Sequence, residues 1–245
     1  VPRCAIMRAT DTERGFPTMN AWLYLLPVLA YFYGSIPFGF LAARWLRGVD
    51  IRTVGSGNIG ATNAARVLGF KYFPAIFLLD MTKGLLPSLI AASLAPEGGY
   101  DPSPWTLAAG FGGVLGHVFP VYLKFKGGKA VAAGTGMFLV AVPWAVLIAA
   151  GVWAVVFGIW RYVSLASICA ALSLPVGVVI VHDEPFGEGI WGFGLALVAA
   201  LFITWLHRTN IARLRAGTEH KIGSGGKSPD KMDGEDADDV TAGQG

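Results

Sequence analysis

An all-α, polytopic membrane protein with about seven membrane segments, some of them short or re-entrant, is the fold class this sequence predicts. Composition is the first reason. Hydrophobic residues make up 54% of the 245 positions and charged ones only 14%, where a soluble domain carries about a quarter. The second is length: several apolar runs approach the ~20 residues that cross a bilayer. The third is pattern. The runs are continuous rather than alternating, which excludes the strands of a membrane barrel, and a helix satisfies its own backbone in lipid.

Taken in order, the apolar segments are 21–43, 70–95, 105–123, 130–142, 144–159, 162–181 and 190–206. The fourth and fifth meet at Pro143, which cannot continue one straight helix. Charge then decides between six and seven crossings. One set of connections holds Arg44, Arg47, Arg52, Arg66 and Lys71, then Lys124, Lys126 and Lys129, then Arg161, then Arg208, Arg213, Arg215 and Lys221. The other holds Glu97 and Asp101, then Asp183, Glu184 and Glu188. Only seven segments put every basic connection on one side, the cytoplasmic one by the positive-inside bias, with the amino terminus outside. The segment 130–142 is short for a crossing and is expected to be tilted, re-entrant or buried in protein. Trp22, Trp45, Trp105, Trp144, Trp160, Trp191 and Trp205 fall near span ends, as an interfacial aromatic belt does.

Three units follow: an extension at 1–20, a membrane-integral domain at 21–223 and an acidic tail at 224–245. Residues 1–18 are of mixed charge and lack the apolar run of a signal peptide. Residues 227–245 set two lysines against six carboxylates, a net −4 within a chain of +3. Rich in Gly, Ser and Asp and free of aromatics, this tail is expected to be disordered. Cys4 and Cys169 form neither a disulfide framework nor a metal pattern. Four scattered histidines complete no ligand set, so no metal or other cofactor is expected.

Three polar, glycine-bearing segments interrupt the apolar chain, all on the basic side. The first, 53–69 (TVGSGNIGATNAARVLG), places Gly55, Gly57 and Gly60 where backbone N–H groups can converge on an anion. Ser56, Asn58, Thr62 and Asn63 add donors, and Arg66 offers a bidentate clamp. A helix starting near Ala61 would point its N-terminus at the same ligand. The bland alternative is a flexible connector, but connectors seldom combine such donor density with a following Arg. The spacing matches neither the Rossmann nor the Walker pattern, so nucleotide binding is not implied.

The second segment, 116–136, carries His117 and the Gly127-Gly128-Lys129 turn. Two glycines before a lysine bring backbone to a phosphate whose charge the ammonium balances. Anchoring at the membrane surface explains one or two of its lysines, not the double glycine. In the third segment, 207–223, His207 and Asn210 share one helical face. Arg208, Arg213 and Arg215 point elsewhere, toward anionic lipid heads, unless Glu219 pairs with one of them. Asp80 and Lys83 lie three apart inside the second span and are expected to pair, because lone charges there are costly.

The stretches 55–63 (GSGNIGATN) with Arg66, 116–129 (GHVFPVYLKFKGGK) and 207–221 (HRTNIARLRAGTEHK) resemble the three motifs of the bacterial acyl-phosphate-dependent glycerol-3-phosphate acyltransferases. Pro37 in GSIPFG and Asp80–Gly84 (DMTKG) fit that family too, and the resemblance runs from about Ala21 to Lys221. It implies a multi-pass enzyme of the bacterial cytoplasmic (inner) membrane with its site facing the cytoplasm. The implied reaction moves a fatty acyl group from acyl phosphate to sn-glycerol 3-phosphate, giving lysophosphatidic acid and phosphate in the first step of phospholipid synthesis. By position, Ser56 and Arg66 match the first motif's functional residues, and Lys129 with its glycines the phosphate-binding second motif. His207, Asn210 and Glu219 match the third. The implied catalytic set is therefore Ser56, Arg66, Lys129, His207 and Asn210. Gly55, Gly57, Asn58, Gly60, Thr62, Asn63, His117, Gly127 and Gly128 would bind substrate phosphate, and Asp80, Lys83 and Glu219 would give structural support. Ile59 stands where the family favours Pro, and Ala130 and Ala133 depart from the usual continuation of the second motif.

Acyl phosphate is an activated mixed anhydride, and the motifs hold no nucleophile with an attendant base. Direct attack by the glycerol hydroxyl on the acyl carbonyl is thus expected, its proton going to the donor's phosphate or, as second choice, to His207. The His-x4-Asp pattern of acyl-CoA enzymes is missing: the fifth residues after the four histidines are Tyr122, Gly187, Ala212 and Gly225. Expected partners are the two phosphorylated substrates and membrane lipids, with no nucleic acid. Oligomeric state and acyl-chain preference have no signature in the sequence. A transporter of a phosphorylated solute stays open as a competing class, since broken helices and glycine turns serve transport too. A lipid-binding scaffold is the third reading.

Overall fold

The computed structural model describes residues 22–94, 104–187 and 189–222. The expectations for 1–20 and 224–245 lie outside them. Every regular element among the described residues is helical: α1 (Trp22–Gly34), α2 (Phe38–Arg47), α3 (Ala61–Leu68), α4 (Phe73–Leu94), α5 (Pro104–Val118), α6 (Val131–Ala141), α7 (Pro143–Trp160), α8 (Val163–Val181), α9 (Ile190–Leu206) and α10 (Arg208–Arg215).

All seven expected segments are helical, with two revisions. The first is interrupted at Ser35–Pro37 and continues to Arg47 as α2. Pro37 has no N–H for the helical ladder, and Ser35 donates its hydroxyl back to the Tyr31 carbonyl at 2.8 Å. The second concerns number. Leu23–Arg47, Phe70–Leu94, Pro104–Leu123, Pro143–Trp160 and Val163–Val181 are long and apolar enough to cross, and α9 makes a sixth with α10 bent from it by 57°. α6 has only 11 residues, roughly 16 Å at 1.5 Å per residue, about half a hydrocarbon core.

The polypeptide before α6 explains this shortfall. The Gly128 N–H donates to the His117 carbonyl at 2.9 Å, so the chain folds back beside the last turns of α5 before α6 begins. Lys124, Phe125 and Ala130 take positive φ (53°, 62° and 64°) to make the reversal. α6 therefore starts level with His117, inside the end of the bundle, and has less thickness to traverse.

Contacts fix the direction of each helix. Lys129 at the start of α6 touches Asn210 of α10. The Ile222 N–H donates to Arg161 O, beyond the end of α7, at 3.0 Å, and Ser164 at the start of α8 bonds Glu219 at 2.9 Å. The basic connections around Arg66, Lys129, Arg161 and Arg213 thus gather at one end. Asp183 and Glu184, between α8 and α9, lie at the other.

Lipid gives no hydrophobic drive between apolar helices, so close packing depends on small residues. Gly113 of α5 shows it: a Cβ there would overlap the Lys83 carbonyl of α4. With such seams α1, α4, α5 and α6 form one block. α7 and α8 cross closely at Ala145 and Gly177, where a Cβ added to the glycine would lie 3.2 Å from the Ala145 Cα, and α8 and α9 pack beside them. The blocks meet in a core that includes Val114, Met137, Phe138, Ala145, Leu174 and Ile203. Trp45, Trp144, Trp160, Trp191 and Trp205 are exposed near helix ends, as expected of a belt.

Candidate active site

The first polar segment is held by its own asparagines. Asn63, on α3, is buried; its carbonyl accepts from the Ser56 N–H at 2.9 Å. Its amide donates to the carbonyls of Ile51 (2.8 Å) and Val54 (3.1 Å). Gly55 and Gly57 take φ of 62° and 68° to permit this turn, a region closed to side chains without strain. Asn58 accepts from the Gly60 N–H at 2.9 Å and donates to the Gly127 carbonyl at 3.3 Å. Loop one is therefore stitched to loop two. Two expectations change here. Asn63 spends both amide hydrogens on the loop, so it shapes the turn instead of donating to a ligand. Gly60, at φ −74°, uses no glycine-only conformation and serves as the residue capping α3, which begins at Ala61 as expected.

The second segment rests on a buried triad. Lys83 Nζ lies 2.6 Å from Asp80 Oδ1 and 3.3 Å from His117 Nδ1, and His117 Nδ1 lies 3.6 Å from the same carboxylate oxygen. The Phe38 ring covers the ammonium at 4.9 Å. A Cβ on Gly128 would overlap the His117 imidazole, and one on Gly127 the His117 carbonyl. The double glycine thus lets the loop lie flat against a histidine that the ion pair anchors. That differs from the expected backbone cradle: neither glycine has positive φ or lines the cavity, whereas the Lys129 beside them lines it.

The third segment turns at His207, between α9 and α10. His207 and Asn210 both face the cavity and both are buried, across the bend instead of along one straight helix. Asn210 donates to Glu219 Oε1 at 2.7 Å, and its carbonyl accepts from the Lys129 ammonium. Arg213 is the arginine that Glu219 takes, as the sequence allowed: its Nε bonds Glu219 Oε2 at 2.7 Å, so it does not reach for lipid heads. Glu219 also accepts from Ser164 Oγ at 2.9 Å. Arg208 stacks on Trp205 at 4.4 Å, at the surface.

These pieces enclose one cavity of about 460 Å³. Its polar end holds Ser56, Asn58, Gly60, Thr62, Asn63, Arg66, Asp80, His117, Lys129, His207, Asn210 and Glu219. Gly55, Gly57, Gly127, Gly128 and Lys83 stand behind that wall. The other end is an apolar limb between α6, α7, α8 and α9. Sequence reasoning missed this limb and also Ser164, which no motif marks.

Charge at the polar end is unbalanced. Asp80 and Lys83 cancel; Arg66, Lys129 and Arg213 face the single carboxylate of Glu219. Burial pushes Lys129 down to about 8, helped by Arg213 and Arg66 and opposed by Glu219. Burial also lowers Arg66, opposed by Glu219 and reinforced by Arg213. Glu219 is disfavoured as an anion by burial, but hydrogen bonds from Asn210, Arg213 and Ser164, with the charge of Arg213, hold its carboxyl below the usual range. His207 is pushed down to about 4 by burial and by Lys129. Its Nδ1 lies 2.8 Å from the Ile203 carbonyl, an acceptor, so the neutral ring carries its proton there and leaves Nε2 unprotonated. An excess of fixed cations beside an apolar limb suits a ligand with an anionic head and a hydrocarbon tail.

Residues 24–217 match the family model described as glycerol-3-phosphate acyltransferase. The chain belongs to that family. A glycerol-3-phosphate acyltransferase of Synechococcus sp. strain CC9902 is 44% identical over 206 residues, covering 83% of this chain and 97% of the relative. One from Myxococcus xanthus strain DK1622 is 45% identical over 198 residues, covering 80% and 98%. Among solved structures, the glycerol 3-phosphate form of PlsY, an integral membrane glycerol 3-phosphate acyltransferase, is similar with a TM-score of 0.74 at 42% identity, covering 82% of this chain and 96% of PlsY. Its lysophosphatidic acid form gives 0.72 at 40% identity, with the same coverage. The family's span, 24–217, contains the first two polar segments and the third as far as Gly217, leaving 218–223 with Glu219 beyond it.

Proposed function

We propose that this chain transfers a fatty acyl group from acyl phosphate to sn-glycerol 3-phosphate, releasing lysophosphatidic acid and phosphate at the cytoplasmic face of a bacterial inner membrane. One observation carries the reading: three polar segments far apart in sequence build a single cavity, cationic at one end and apolar at the other. Water-borne phosphates fit the first end and a fatty chain the second. The gathering of basic connections at the same end supports the cytoplasmic orientation.

Arg66 and Lys129 hold the two phosphate groups, offsetting their mutual repulsion and bringing hydroxyl and carbonyl into reach. Ser56 and Thr62 give hydroxyl contacts to the same groups. Asn210 sets the ammonium of Lys129, and Glu219 sets Asn210. The glycerol hydroxyl attacks the acyl carbonyl, the C–O bond to phosphate breaks, and inorganic phosphate leaves with the hydroxyl proton. The donor's own phosphate is the better acceptor because His207, near 4, is too weak a base at neutral pH. Unprotonated Nε2 accepts a hydrogen bond from the hydroxyl and aims it. Among the described residues no base is hydrogen-bonded to the Ser56 hydroxyl, which favours direct attack over an acyl-enzyme.

Purified protein with glycerol 3-phosphate and palmitoyl phosphate is expected to release phosphate and form lysophosphatidic acid in equal amounts. Arg66→Ala is expected to abolish turnover while the protein melts as wild type. Solute flux into vesicles without lipid product would establish the transporter instead, and retained activity in Arg66→Ala would remove that residue from the site.

A further inference from the structure

We infer that Phe138, Val146 and Leu174 form the floor of the apolar limb and set the length of acyl chain the enzyme accepts; this rests on the acyl-transfer reading. Lining residues recur on one face of α8, from Ser164 through Ser167 and Ala171 to Leu174. That face goes no further. Its next residues are Gly177, where an added Cβ would come within 3.2 Å of Ala145, and Val178, fully buried. On α7 the lining ends at Val146, beyond which Ala145 and Val142 are buried in the core. On α6 it ends at Phe138, with Met137 and Ala141 buried beside it. Three helices therefore close the limb at one level, ten residues down α8 from Ser164, a depth of about 15 Å at 1.5 Å per residue.

Side-chain size changes where the lining ends. Most of the wall above the floor is small, with Ala149, Ala171 and Ala200 facing the space, and its large side chains, Trp153 and Ile203, stand nearer the polar end. The floor is large, and all three of its side chains are buried in a single packed cluster. A straight chain passes between these walls and meets its stop at the three floor groups. Interiors are packed too densely to give way to an added methylene. A tail longer than the limb leaves its carbonyl displaced from Lys129 and His207, and a shorter one leaves apolar surface unfilled.

The test is a donor series from octanoyl to stearoyl phosphate, read as relative kcat/KM at fixed glycerol 3-phosphate in the full-length protein in detergent. Leu174→Ala is expected to move the optimum to longer chains, each newly accommodated methylene raising kcat/KM about fourfold. Ala171→Phe, one turn above the floor, is expected to move it to shorter chains, with the longest donors losing more than tenfold. The KM for glycerol 3-phosphate serves as the readout of the polar end, which a misfolded variant would not preserve. Should Leu174→Ala fail to fold, Val146→Ala on the facing helix carries the same expectation. An unaltered chain-length profile in folded variants overturns the floor. Wild-type protein inert toward every acyl phosphate would instead overturn the acyl-transfer reading beneath it.

Discussion

Lys129 makes the activity pH-dependent in a direction the structure specifies. Its ammonium is buried beside Arg213 and Arg66, which pushes it down to about 8 from 10.5. The charged form is the useful one, because it faces a phosphate. A lysine with a lowered value is cationic below that value and loses its charge as pH rises through it. Near pH 7 about nine-tenths of the free enzyme carries the charge, and near pH 9 about one-tenth, so kcat/KM for glycerol 3-phosphate should fall about tenfold between them. Bound phosphate favours the ammonium, so in kcat at saturating substrate the same limb moves to higher pH. An acid limb near 6 comes from the second ionisation of the phosphate ester, not from His207 near 4. The assay is initial phosphate release across pH, corrected for spontaneous donor hydrolysis. In Lys129→Arg the alkaline limb should vanish at whatever turnover remains, since a guanidinium does not deprotonate in this range. Wild-type kcat/KM that stays level past pH 9, or a limb that persists in Lys129→Arg, refutes the reasoning.

Two further outcomes follow from the buried polar clusters. Lys83→Met takes the ammonium from the buried Asp80 carboxylate, leaving it His117 at 3.6 Å, and should cost roughly 3–5 kcal/mol of stability, whereas Asp80→Asn combined with Lys83→Met should regain most of it; thermal unfolding in detergent measures both. Glu219→Ala removes the carboxylate that orients Asn210 and pairs with Arg213. Losing charge-assisted bonds worth ~1.5–3 kcal/mol should lower kcat/KM about 10- to 100-fold, and Glu219→Gln should restore part of it.

Much of the fold was legible because lipid leaves few options. Long apolar runs became helices, Pro143 broke the chain between α6 and α7, and α3 begins at Ala61. The Asp80–Lys83 pair followed from the cost of lone charges in hydrocarbon. Other features left no trace in pattern. The apolar limb was invisible because α7, α8 and α9 are hydrophobic on all sides, so no periodicity separates a cavity-lining face from a lipid-facing one. Asn63 looked like a donor because the sequence does not reveal that Ile51 and Val54 occupy its amide. Gly127 and Gly128 looked like a phosphate cradle, and the space they leave admits His117 instead. Which of the three arginines Glu219 would take was not legible, because the pair closes across the turn at Gly217, whose φ is 70°.

The early turn at Gly127 and Gly128 also decides at what altitude the chemistry happens. Because α6 begins level with His117, the cationic end is sunk below the rim of the bundle, nearer to where a fatty tail already resides. The lipid-borne partner can keep its hydrocarbon in the oily layer throughout, and the small hydrophilic partner makes the descent. A well of fixed positive charge draws an anion down it readily, whereas hauling a long tail up into water would work against hydrophobicity at every carbon.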